Sequence, residues 1–206
     1  MPQDNICNND IVYIRFGHLY FSRAVSFTGS NVSISRFIPT LDQSPDDRVP
    51  FLVQKSSWDI GTSFNSHDPL VIGDFFSLWA LDEGLPQHIR YLVPCDDFTT
   101  YTYTSTITRL TFSDNTTDFA RFWSIVPLGI ACSGVPMVSE KKYSIYSATD
   151  FRQVIGRNFD SLIVEMENTV SASTDNDVRL NSCDKNSMEN YSLQFEKINL
   201  TNTANW

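Results

Sequence analysis

The chain has 206 residues, 41% of them hydrophobic and 13% aromatic, so it carries enough apolar surface for one sizeable core. Its net charge of −9, with no cluster of Lys and Arg, excludes tight wrapping of nucleic acid by the body of the chain. No run of about eighteen apolar residues occurs, which excludes a membrane-spanning helix, and residues 1–10 lack the charged start and apolar centre of a secretory leader.

Residues 1–10 are polar and read as an N-terminal arm, followed by the short apolar run Ile11–Phe16. In Leu19–Phe27, Leu19, Phe21, Val25 and Phe27 alternate with Tyr20, Ser22, Ala24 and Ser26, the period of a strand with one buried face. Thr28-Gly29-Ser30-Asn31 has turn chemistry, and Val32, Ile34 and Ile38 continue the period, so the pair predicts a hairpin. A charged loop bounded by Pro39 and Pro50 comes next, then a short strand from Phe51 to Ile60 and a second loop.

Asp74 suits the cap of a short helix over Phe75–Leu81, with Phe75, Phe76 and Trp79 on one side and Gly84 and Pro86 beyond its end. Two segments rich in β-branched and aromatic residues, Tyr101–Phe112 and Ala120–Ala131, predict central strands. The first changes parity between Ile107 and Leu110, which predicts a bulge near Thr108–Arg109. The second is apolar on both faces, with Phe122, Val126, Leu128 and Ile130 opposite Trp123 and Ile125.

The segment Tyr143–Phe159 is ambiguous, whereas Ser161–Asn168 alternates cleanly, with Leu162, Val164 and Met166 inward. Residues 169–190 read as a long polar loop, and Tyr191–Leu200 as a closing strand that buries Tyr191, Leu193 and Phe195. Several short strands separated by irregular loops, with no internal repeat and no linker, predict an all-β fold. Its expected form is an eight-stranded antiparallel jelly-roll sandwich with long loops and one or two short helices. It would be a single domain over 1–206, with an arm at 1–10 and a tail at 199–206.

Catalytic signatures are missing. His18, His67 and His88 are the only histidines, and no nucleophile elbow, zinc-protease helix motif or phosphate loop occurs. Cys95 lies between Pro94 and the carboxylates of Asp96 and Asp97, which would raise the thiol pKa and oppose activation. The expectation is therefore no enzyme, no cofactor and no metal. Asp42, Asp46 and Asp47 match no calcium-loop spacing and read as a solvated surface loop, as does Asn115. Phe75, Phe76, Trp79 and Trp123 are the residues for a candidate apolar pocket, with plain core as the favoured reading. Cys7, Cys95, Cys132 and Cys183 form no CxxC pair and read as reduced thiols. Glycosylation sequons begin at Asn31, Asn115, Asn190 and Asn199 and matter only in a secretory pathway.

Four blocks carry a family resemblance: Ile11–Pro39, Ile72–Gly84, Ala120–Pro136 and Tyr143–Ser173. Their order resembles that of the jelly-roll capsid proteins of picornaviruses and their relatives, most like the subunit at the five-fold axis. The resemblance implies a structural capsid subunit of a small icosahedral positive-strand RNA virus, which assembles with other capsid subunits of the same virus into a shell around the genome. It also implies location in the virion, and in the host cytoplasm during assembly. RNA contact would be indirect, a host receptor would be a partner, and the aromatic pocket would be where some family members hold a lipid. The alternative, from a different class, is a secreted β-sandwich glycoprotein that binds a carbohydrate or receptor.

The alternation in Ser161–Asn168 makes one expectation testable. Val164→Asp should give insoluble protein, because an unpartnered carboxylate would be buried at a cost of several kcal/mol, while Glu165→Gln should stay folded. Soluble yield and the cooperativity of thermal unfolding for the two variants check this, and the opposite ranking would reverse the register.

Overall fold

The computed structural model describes residues 4–28, 35–56, 62–101, 106–114, 121–127, 134–148, 153–158, 161–166 and 192–198. Twelve strands run through them: β1 (Ile11–Phe16), β2 (Leu19–Thr28), β3 (Ser35–Asp42), β4 (Pro50–Ser56), β5 (Phe75–Ala80) and β6 (Tyr91–Tyr101), then β7 (Thr106–Ser113), β8 (Trp123–Pro127), β9 (Lys142–Ser147), β10 (Gln153–Asn158), β11 (Ser161–Met166) and β12 (Leu193–Lys197). The chain is all-β, as its composition implies, and the helical structure among the described residues is a 3-10 turn over Pro45–Asp47 and a 3-10 residue at Arg121.

Six strands close on themselves through antiparallel pairing: β1 with β4, β4 with β5, β5 with β8, β8 with β9, β9 with β12, and β12 with β1. The remaining strands form three hairpins, β2–β3, β6–β7 and β10–β11, that meet one another through β11. A closed barrel has no free edges, and each hairpin caps the end at which β1, β5 or β9 finishes. Three successive four-strand units thus build one barrel, the topology of a β-trefoil. The expected eight-strand jelly-roll connection is corrected accordingly, and the chain has an internal structural repeat where the sequence suggested none.

The repeat is exact in register. Val12, Phe76 and Tyr143 pair with Phe51, Trp123 and Leu193 within their own units. Across units, Ala80 faces Phe51, Ser147 faces Trp123, and Arg15 faces Gln194. The three segments Ile6–Phe16, Leu70–Ala80 and Met137–Ser147 therefore superpose residue on residue without a gap. Their inward positions form layers: Val12, Phe76 and Tyr143, then Ile14, Leu78 and Ile145, all buried. Side-chain volume is shared across the layers, because the small Ala80 and Ser147 stand opposite the large Phe51 and Trp123.

The segments that precede β1, β5 and β9 close the other end of the barrel. Ile6 N–H donates to Met137 O at 2.9 Å, Met137 N–H to Leu70 O at 2.7 Å, and Leu70 N–H to Ile6 O at 2.8 Å. This cycle of three hydrogen bonds carries three fully buried side chains, so residues 4–10 are part of the barrel rather than an arm. Three residues after each cycle member the backbone turns through positive φ, at Asn9, Gly73 and Glu140.

One expected element changes identity. Phe75–Ala80 is a strand rather than a helix, because it pairs with β4 on one side and β8 on the other. Asp74 caps a turn instead: its Oδ2 accepts from Val71 N–H at 2.8 Å and pairs with Lys55 Nζ at 2.8 Å. The hairpin of β2 and β3 forms as predicted, but its register shifts between Ser22 and Val25, which leaves Val25 44% exposed instead of buried. The parity change at Thr108–Arg109 also has its irregularity, and the extra residues lie opposite, in β6 between Cys95 and Thr99. β11 occupies the predicted strand, while the inward or outward placement of its side chains, Val164 included, lies outside the described residues, as do the tail and all four sequons.

The Lys55–Asp74 latch recurs one unit earlier. Lys197 Nζ sits 2.8 Å from Asp10 Oδ2 and donates to Asn5 O at 3.1 Å, just as Lys55 donates to Pro69 O at 3.2 Å. In the third unit Lys141 replaces the aspartate, and the Tyr143 hydroxyl accepts from Val138 N–H at 2.8 Å. Burial of Lys197 pulls its pKa down, but the hydrogen bond and charge of Asp10 outweigh this, and the net shift is upward. A raised folded-state value means that the latch stabilises fully below the ordinary lysine pKa and is lost as pH rises through the folded value. Lys197→Met should cost about 1–2 kcal/mol at neutral pH, and the gap to the parent should close in strongly alkaline buffer. Urea unfolding at the two pH values measures it, and an unchanged gap would remove the latch from the account.

Candidate functional site

The outer wall of the barrel carries a second repeated feature. At the ninth residue after each cycle member, the barrel strand hands over to its hairpin: Arg15 pairs with Tyr20, Trp79 with Tyr91, and Tyr146 with Val154. In the first two units the residue at the start of the hairpin is a tyrosine, and an acceptor reaches it from the neighbouring unit. Tyr20 Oη donates to Glu196 Oε2 at 2.7 Å, and Tyr91 Oη donates to Gln54 Oε1 at 3.4 Å. Glu196 and Gln54 occupy equivalent positions, each third after the buried residue that opens its run, Leu193 or Phe51. At the third such position the hairpin residue is Val154 and the acceptor position in the neighbouring unit is Val126, so the feature occurs at two of three positions.

In these two units an arginine from the segment before the fourth strand completes the arrangement. The guanidinium of Arg48 lies 3.5 Å from the Tyr20 ring centre and 5.9 Å from that of Tyr13. That of Arg121 lies 5.0 Å from Tyr91 and 4.8 Å from Phe122. Trp79 meets Tyr91 edge to face with ring centres 4.6 Å apart. Trp79, Tyr91, Gln54 and Arg121 are all half-buried, so the cluster faces water with flat aromatic surface beside amide and guanidinium donors.

The first cluster is more heavily charged. Arg15 pairs with Glu140 at 3.2 Å and lies 4.0 Å from Glu196. Burial and the hydrogen bond to Glu196 push the Tyr20 pKa upward, which keeps its hydroxyl a donor. The second cluster holds the neutral Gln54 in the place of that carboxylate.

The four residues of the expected apolar pocket divide between two faces. Phe76 and Trp123 are fully buried in the barrel interior, where Trp123 Nε1–H donates to Leu92 O at 3.1 Å. Phe75 and Trp79 are half-buried, and Trp79 belongs to the outer cluster. Asp42, Asp46 and Asp47 lie on and beside the 3-10 turn. Asp42 Oδ1 accepts from Ser44 N–H at 2.8 Å, and Asp47 pairs with Arg23 at 3.2 Å. Asn115 lies outside the described residues. Among the described residues no group of three or more His, Cys, Asp or Glu is placed to hold a metal. His18, His67 and His88 are exposed on turns. The Cys7 thiol is free, and burial together with the nearby Asp10 raises its pKa away from the reactive thiolate. Sequence reasoning missed Tyr20, Tyr91, Arg48 and Arg121, because the relation between them appears only when the units are aligned.

No protein-family model and no curated protein matches the sequence. Solved structures share the fold. A Caenorhabditis elegans protein of unknown function matches over 94% of this chain and 97% of its own, at 10% identity and a TM-score of 0.61. An SDF2-like protein from Arabidopsis thaliana matches over 93% and 94%, at 9% identity and a TM-score of 0.58. The botulinum neurotoxin serotype D binding domain matches over 96% of this chain and 44% of its own, at 14% identity and a TM-score of 0.57. This chain thus spans less than half of that neurotoxin chain, and at these identities the likeness is one of fold.

The two faces should respond differently to truncation. Trp123→Ala is expected to cost about 3–5 kcal/mol, since it opens a cavity opposite Ser147 and orphans Leu92 O. Trp79→Ala is expected to cost less than about 1.5 kcal/mol. Urea unfolding of both variants tests the assignment, and equal losses would place Trp79 in the core.

Proposed function

We propose that this chain is a recognition module that binds a saccharide on the outer wall of its barrel and catalyses no reaction. The observation that carries the reading is the cluster of Trp79, Tyr91, Gln54 and Arg121. It joins half-exposed ring surface, which suits the C–H faces of a sugar, to planar donors that suit hydroxyl groups. The described histidines stand apart on turns, and the Cys7 thiol is held protonated, so neither offers an assembled nucleophile and base. One structural neighbour is itself described as a binding domain, which agrees with the reading at the level of fold.

The capsid reading drew on a jelly-roll order of elements, and the trefoil order takes that support away. Of the alternative, a secreted glycoprotein that binds a carbohydrate or receptor, the binding role is the part that the outer cluster supports.

A glycan array probed with the labelled chain tests the proposal. The strongest-bound glycan should lose affinity about tenfold with Trp79→Ala, and the variant should keep its cooperative unfolding. An array without retained glycan would overturn the reading. Closed shells in negative-stain images of the same material would return the capsid assignment.

A further inference from the structure

We infer that the saccharide carries an anionic group, a sulfate or carboxylate, and that Arg121 and Arg48 are two sites that receive it. This rests on the recognition reading and adds the chemical class of the ligand. The inference starts from charge accounting. In a chain of net charge −9, Arg15, Arg23, Lys55 and Lys197 each lie in an ion pair with a carboxylate. Arg48 and Arg121 make no ion pair and no side-chain hydrogen bond among the described residues, and the Nε of each is buried without a hydrogen-bond partner.

Both are held instead by ring faces. A tyrosine ring lies beneath each guanidinium, and the tyrosine hydroxyl is tied to an acceptor from the next unit, Glu196 or Gln54. A planar cation seated over a ring, with no ion pair or side-chain hydrogen bond among the described residues, matches the two-oxygen edge of a sulfate or carboxylate. A lysine at either position would supply charge but no fork. An arginine over a hydrogen-bonded tyrosine thus occurs twice, although Arg48 stands three residues before Phe51 and Arg121 two before Trp123.

The two sites are not of equal strength. Glu196 accepts from the tyrosine that lies under Arg48, and its charge opposes an incoming anion there. Gln54 is neutral, and Trp79 adds a ring surface beside Arg121. The Arg121 site should therefore fill first. The third position, with Val154 and Val126, has no such site.

NMR of the arginine Nε–Hε and tryptophan indole signals of the full chain tests this, with lactose 3′-sulfate, lactose and inorganic sulfate as separate probes. The expected result is that inorganic sulfate at tens of millimolar moves the Arg121 signal and, at higher concentration, that of Arg48. Lactose 3′-sulfate should do the same at lower concentration and should also move the Trp79 indole. Arg121→Lys should weaken the sulfated sugar about tenfold with unchanged unfolding. If sulfate and the sulfated sugar leave both arginine signals still, the inference is overturned. Movement of the Trp79 indole by lactose and its sulfate alike, with still arginines, would sink the inference and leave the recognition reading standing. Equal potency of inorganic sulfate and sulfated sugar would overturn the saccharide assignment and leave a plain anion site.

Discussion

The cycle of backbone hydrogen bonds among Ile6, Leu70 and Met137 is the constraint on which the rest of the structure depends. A six-stranded barrel needs something to fill each end, since an open end would wet the buried layers beneath it. Three hairpins cover one end, and the cycle covers the other by spending three buried N–H groups on three buried carbonyls. Because each donor belongs to one unit and each acceptor to the next, no unit completes the closure alone. The flanking bridges Asn5 with Val138, Cys7 with Pro69, and Val71 with Pro136 repeat the same cyclic logic. The phase fixed there passes along β1, β5 and β9, and it decides which residues face inward six, eight and ten positions later.

Within that phase the core tolerates wide sequence divergence, because packing constrains the volume of a layer rather than the identity of its members. The innermost positions show this: Phe16, Ala80 and Ser147 are equivalent, and they share no chemistry. Ser147 is small where Trp123 is large, and Ala80 is small where Phe51 is large. A side chain that grows in one unit is matched by one that shrinks in the adjoining unit. Identity between units then decays while the barrel persists, which is also how solved structures at about a tenth identity can share the fold.

This explains what the sequence revealed and what it concealed. Aromatic and β-branched content made the all-β class legible, and period-two alternation made β2, β11 and β12 legible as strands. Alternation failed at Val25, where a register shift reverses parity, and no local pattern announces such a shift. The segment Phe75–Ala80 misled because strand β5 has buried residues on successive positions, so Phe75, Phe76 and Trp79 mimic a helical face. The internal repeat stayed hidden for the reason just given, since its conserved quantity is summed volume and register. Of the candidate site, Trp79 was legible as an aromatic of interest, but its grouping with Trp123 was not correctable without knowing which face each residue occupies.

The contrast between the two faces of the barrel bears on what the outer clusters are. Inside, all three units must contribute, and the third does so fully through Met137, Tyr143 and Ile145. Outside, the tyrosine, its acceptor and its stacked arginine occur at two positions, and valines hold the places of the tyrosine and its acceptor at the third. Were this outer arrangement needed for closure, the third unit would lack a support that the geometry demands equally of all three, yet its strands pair in the same register. The clusters therefore do not follow from the fold. They carry half-buried arginines that form no ion pair among the described residues, a cost that a purely structural surface would shed by substitution. Features that symmetry does not require, and that stability alone would not select, are where the function of a repeated scaffold is to be sought.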